Sequence, residues 1–166
     1  MGSTTNKQGG KRRELLGLAG FLAACFAVSG IGGFVTATSV GSWYQALEKP
    51  AFNPPDWVFA PVWTALYILM AIAGWRVWLC ARSAARTTAL IVFAGQLSLN
   101  LAWSILFFGL QSIGGALLEI VLLLSAIVVT TALFWRIDRP AAALLLPYAL
   151  WVLYAALLNV SLWLLN

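Results

Sequence analysis

Histidine is absent from this chain of 166 residues, and cysteine occurs twice, at Cys25 and Cys80. Without imidazole there is no His-ligated haem, no histidine general base and little zinc chemistry. The two cysteines stand alone in apolar segments. They give neither a metal-ligand spacing nor a disulfide framework, and read as small packing residues. Charge is nearly as scarce, at 9% of residues against roughly a quarter in soluble domains. Acids are the rarer sign, five against ten Lys and Arg. No charged residue occurs between Leu15 and Leu47, nor within Trp57–Trp75, Thr87–Leu118, Ile120–Trp135 or Ala141–Asn166.

Hydrophobic residues fill these gaps and make up 62% of the chain. A transmembrane helix needs about 20 apolar residues at ~1.5 Å each to cross ~30 Å of hydrocarbon. The chain holds five such stretches. The expected fold is all-α, an integral membrane bundle of five transmembrane helices forming one domain over residues 15–166. Residues 1–14 are polar and basic and read as a disordered tail. Met1-Gly2 begins like a myristoylation site, but Asn6 stands where Ser or Thr is required. The first apolar stretch runs well past the core of a signal peptide, which favours a retained helix.

The basic residues sit at span ends, which argues against nucleic acid as partner. Lys7, Lys11, Arg12 and Arg13 precede the first span; Arg76, Arg82 and Arg86 flank the second connection; Arg136 and Arg139 flank the fourth. The first connection is mixed, with Glu48, Lys49 and Asp56, and the third, 111–115, is uncharged. By the positive-inside rule the N-terminus is inside and the C-terminus outside in a cytoplasmic membrane. Spans are expected at about 15–39, 57–79, 88–109, 115–135 and 140–164. The first connection, 40–56, is the longest. It carries Trp43, Tyr44 and three prolines, Pro50, Pro54 and Pro55, and its stiffness suits a lid.

In the third span Gln96, Asn100, Trp103 and Phe107 recur at helical spacing and share one stripe. Ala94, Ser98 and Ala102 form a second, small-residue stripe roughly opposite, a packing surface in lipid. Gln96 and Asn100 fit interhelical hydrogen bonding as well as a ligand site. Trp63 and Tyr67 are one turn apart in the second span; Tyr148, Trp151 and Asn159 share a face of the fifth. Trp63, Trp103 and Trp151 lie roughly 10–17 Å below the outer end, too deep for an interfacial belt. A cavity walled by indoles suits a flat, apolar, aromatic ligand; the same rings would also simply fill space. Glu119 is the one acid inside a span, about a turn from the outer end, where a carboxylate also reaches the interface.

These residues resemble the translocator protein family (TspO/MBR, the tryptophan-rich sensory proteins). The resemblance rests on Trp43-Tyr44, Leu47, Lys49-Pro50, Phe52, Pro54-Pro55 and Trp57-Val58 in the first connection. Pro61-Val62-Trp63 and Leu66-Tyr67 follow. The third span adds Gly95-Gln96-Leu97, Leu99-Asn100, Trp103 and Phe107-Phe108-Gly109; the fifth adds Pro147-Tyr148, Trp151 and Leu158-Asn159. It implies a homodimer, and the small-residue stripe of Ala94, Ser98 and Ala102 is expected at or near its interface. It implies a pocket beneath the first connection that takes a porphyrin, protoporphyrin IX or haem, as ligand, with no required cofactor. Isoquinoline and benzodiazepine-type ligands are implied too. Trp63 and Trp151 match the tryptophans tied to porphyrin breakdown in some bacterial members. Trp43, Lys49, Pro50, Tyr67, Gln96, Asn100, Trp103, Phe107, Tyr148 and Asn159 complete the expected ligand site, with Lys49 as partner for a propionate.

Some positions depart from the family pattern. Gly115 stands where the mammalian proteins carry Trp, and no basic residue follows Arg139 where a cholesterol motif is expected, so cholesterol is a doubtful partner. Such departures point to a bacterial member. Three functions compete: a porphyrin-binding sensor or translocator, an enzyme degrading porphyrin with light or oxidant, and a small proton-coupled exporter using Glu119. Deep tryptophans favour the first two.

Overall fold

The computed structural model describes residues 3–166, with side chains from residue 10 onward. Helix α1 spans Ser3–Ala37 and a short α2 spans Trp43–Ala46. A single 3-10 turn, Asp56–Val58, leads into α3, Phe59–Leu79. Helix α4, Ala84–Ser104, passes into a wider π turn at Ile105–Gly109; α5 spans Ile113–Trp135 and α6 Arg139–Leu165. No strand occurs among the described residues. Five of these helices are long and apolar enough to cross a membrane, so the chain is a multi-pass integral membrane protein. Helices are the form that satisfies backbone groups within lipid.

The expected span limits hold to within a few residues except at the start. Helix α1 begins at Ser3, so residues 3–14, expected as a disordered tail, continue the first span as helix. Gln, Lys, Arg and Glu in that stretch are good helix formers. The segment is also tied down: the Trp75 indole donates to the Glu14 carbonyl at 2.9 Å, and the Arg13 guanidinium lies over the Trp78 ring. Met1 and Gly2 lie outside the described residues.

Local chemistry fixes the other boundaries. Ser83 and Ser112 cap α4 and α5, their hydroxyls accepting from the Arg86 and Gly115 backbone N–H. Pro140 stands in the first turn of α6, where a missing N–H costs nothing. Helix α6 runs through Pro147 without a break.

The bundle closes as a ring. Helix α1 packs on α3 and α4, α3 on α6, α6 on α5 and α5 on α4. Two ends can be distinguished. The tail end holds connections 80–83 and 136–138, where Arg76 pairs with Asp138 at 2.8 Å. The roof end holds the 38–55 connection and the turn at 110–112. The main core fills the tail half, with Met70, Ala71, Phe134 and Ala142 fully buried and Phe93 stacked on Phe134. A smaller aromatic cluster under the roof comprises Tyr44, Phe107, Phe108, Ala116 and Leu162.

Candidate functional site

Beneath the roof lies a cavity of about 450 Å³. Helices α1, α3, α4 and α6 wall it, and α5 stands behind. The indoles of Trp63, Trp103 and Trp151 all face into it, each half-buried. Trp103 is stacked on Phe107 with centroids 5.1 Å apart, and its N–H donates to Asn159 Oδ1 at 3.2 Å. Asn159 in turn donates to the Ile113 carbonyl at 2.9 Å. One amide thus ties α4, α5 and α6 together and fixes the Trp103 plane. Trp63 lies 5.7 Å from Tyr67 and edge-on to Tyr148; Trp151 meets Phe59 edge-on.

The floor is polar and largely paired. Tyr67 donates to Asn100 Oδ1, and Asn100 Nδ2 donates to the Tyr148 hydroxyl at 3.2 Å. Tyr67, Asn100 and Tyr148 are buried, so these bonds replace lost water. Tyr67 and Asn100 line the cavity; Tyr148 lies one layer lower. Gln96 is deeper still, its amide directed at the Met70 sulfur. Glu119 is buried behind the cavity with neither carboxyl oxygen partnered. It does not reach the interface.

The roof is built from the first connection. Ser39 Oγ donates to the Phe108 carbonyl at 2.7 Å, a last-turn carbonyl that the end of the helix leaves unpaired, while the Ser112 N–H bonds the Leu106 carbonyl. Tyr44 is buried against Phe107 and Phe108, and its hydroxyl donates to Asn53 at 2.8 Å. Burial pushes this phenol up to about 12. Gln45 donates to Asp56, and the Tyr154 hydroxyl of α6 donates to the Phe52 carbonyl at 2.7 Å. Asn166 accepts from the Glu48 N–H and donates to its carbonyl, at 3.0 and 3.1 Å.

Of the expected ligand residues, Trp63, Tyr67, Asn100, Trp103, Phe107, Trp151 and Asn159 come together on the cavity wall. Trp43, Lys49 and Pro50 do not line it. Trp43 packs edge-on against Phe107 from outside, and the Lys49 ammonium lies over the Tyr44 ring. The α1 wall, including Ser29, Gly32, Gly33 and Thr36, was not anticipated. Its small residues give no aromatic or charged signal, and they read as a packing face. On α4, Ala94 and Ser98 point outward and Ala102 is half-buried.

The TspO/MBR family model matches residues 21–164. The chain is 40% identical over 161 residues to the tryptophan-rich protein TspO of Chlorobaculum tepidum, covering 93% of this chain and 98% of that one. It is 41% identical over 156 residues to the tryptophan-rich protein TspO of Archaeoglobus fulgidus, covering 92% and 99%. It is also 39% identical over 140 residues to the translocator protein of Bos taurus, covering 80% and 82%.

Proposed function

Because this chain belongs to the TspO/MBR family, we propose that it is a membrane sensor or translocator that binds a porphyrin, such as protoporphyrin IX, in the cavity under its roof. The observation that carries the reading is the apolar cavity with three indoles converging on it. Its volume of about 450 Å³ lies within the ~300–1,000 Å³ of small-molecule sites. Indole faces hold a planar macrocycle by stacking. Asn100 and Asn159 supply polar contacts. No histidine is needed. Titration with protoporphyrin IX tests this: saturable binding that weakens in Trp63, Trp103 and Trp151 variants is expected. Equal affinity in all three would refute the site.

Trp63 and Trp151 lining one cavity favours a second reading, porphyrin breakdown driven by light or oxidant through these side chains. Product analysis in light and dark, with Trp63→Phe and Trp151→Phe, separates turnover from binding. The exporter reading is weaker, because Glu119 does not line the cavity.

The outward-facing Ala94 and Ser98 support a homodimer through this face of α4. Bulky changes such as Ser98→Leu should shift the protein toward monomer. The alternation of basic ends supports a tail end inside and a roof end outside in a cytoplasmic membrane.

A further inference from the structure

Exposure around the cavity is one-sided. Every exposed residue lining it lies on α1, at the start of α3 or where these helices join the roof, and Gly33, Ala37, Ala60 and Thr64 are among them. The lining residues of α4 and α6 are buried or half-buried.

The path of α1 accounts for this. At the tail end α1 lies on α3: a Cβ at Gly17 would come within 2.5 Å of the Trp78 ring, and one at Gly74 within 2.8 Å of the Phe21 ring. Toward the roof α1 leans on α4 instead. There Gly32 faces Ser104 at 3.3 Å and Val35 faces Gly109 at 3.1 Å, measured to a built Cβ. Helix α1 therefore crosses from one neighbour to the other, and α1 and α3 part as they rise. A Cβ at Gly30 or Gly33 would meet nothing within 4 Å.

We propose that the cavity is loaded sideways from the bilayer, through this gap between α1 and α3, and that Gly33 and Ala60 set its width. Gly33 lies ~6 Å below the roof end of α1 and Thr64 ~8 Å below the roof end of α3, at ~1.5 Å per residue. That depth is among acyl chains. The opening thus selects molecules already dissolved in the membrane and flat enough to pass edge-on between two helices. The roof is the poorer route, being closed over by Tyr44–Asn53, Gln45–Asp56, Tyr154–Phe52 and Asn166–Glu48. The inference rests on the reading of the cavity as a ligand site and adds the path into it.

The test uses the full chain in lipid nanodiscs, with protoporphyrin IX followed by stopped-flow tryptophan quenching. Gly33 and Ala60 have free space outward, so the double variant Gly33→Leu/Ala60→Leu should fold. Narrowing a gate slows passage both ways, so association and dissociation should each fall by roughly tenfold or more. Cross-linking Glu48→Cys to Asn166→Cys, which locks the roof, should leave both rates as in the wild type. Wild-type rates in the double variant, or faster dissociation from it, would overturn the proposal, as would a roof lock that blocks loading. A ligand-free measurement separates this from failure of porphyrin binding itself. A membrane-dissolved maleimide should label Ala155→Cys inside the cavity, and the double Leu variant should slow that labelling while the roof lock does not. Labelling unaffected by the Leu pair would sink the side route even if no porphyrin binds.

Discussion

At the tail end Gly17 lies beneath Trp78 and Gly74 beneath Phe21, too close for any added carbon. At the roof end Gly30 and Gly33 face open space. Where α1 meets α3, Gly17 and Gly74 let the helices pack closely, whereas Gly33, farther along α1, lines the cavity with open space before it. Aromatic residues divide likewise. Phe93 and Phe134 stack face to face in a solid core, whereas Trp63, Trp103 and Trp151 stand apart around a hollow. Between the halves lies a polar layer, Tyr67, Gln96, Asn100 and Tyr148, all buried. Its hydrogen bonds close the floor of the hollow half and keep the solid half dry.

The contrast is broken most strongly by hollowing the solid half. Phe134→Ala should cost about 3–5 kcal/mol, read as a large drop in thermal midpoint in detergent. Gly33→Leu should stay within about 0.5 kcal/mol. If the two cost the same, the halves do not differ in packing.

Removing the divider comes next. Asn100→Ala leaves the Tyr67 proton without its acceptor, at about 1–3 kcal/mol for a buried unpaired group. Chemical denaturation of the variant against wild type reads it. A Tyr67→Phe/Asn100→Ala double variant should lose less than the sum of the two single changes, because it removes both partners of that bond.

On the hollow side the effect should be on binding. Trp151→Ala should weaken porphyrin affinity by about 1–3 kcal/mol, the scale of one buried aromatic contact. Fluorescence titration measures it, and an unchanged affinity would remove α6 from the site.

The smallest effect is expected at the roof. Tyr154→Phe deletes the bond to the Phe52 carbonyl, worth about 0.5–1.5 kcal/mol. Hydrogen exchange should speed up in residues 48–55 and nowhere in the tail half.

Most of the solid half was legible in the sequence. Length, apolarity and charge gaps give five spans, because lipid permits few alternatives. The deep tryptophans were legible too, since depth follows from counting residues. The α1 wall was not. Gly32 and Gly33 carry no side chain that would signal a wall, and Gly32 approaches Ser104 while its neighbour faces the gap. Which glycine packs depends on where α1 crosses between α3 and α4, a property of three helices together. The expected roles of Trp43, Lys49 and Pro50 ran ahead of geometry in the same way. The connection does cover the cavity, but Tyr44 is the residue it turns inward.

The π turn at Ile105–Gly109 has a consequence for how α4 tolerates change. The Phe108 carbonyl is free to hold Ser39 because it lies in the last turn of the helix, and the extra residue of the π turn sets the direction in which it points. Any side chain at Phe108 offers that same carbonyl, so exchanging the residue leaves the fastening in place. Deleting a single residue between Trp103 and Ser112 would turn this carbonyl by about 100° away from Ser39 and rotate everything beyond it. The junction between roof and bundle is therefore written in the spacing of the chain there, and its weak point is a change of length rather than a change of letter.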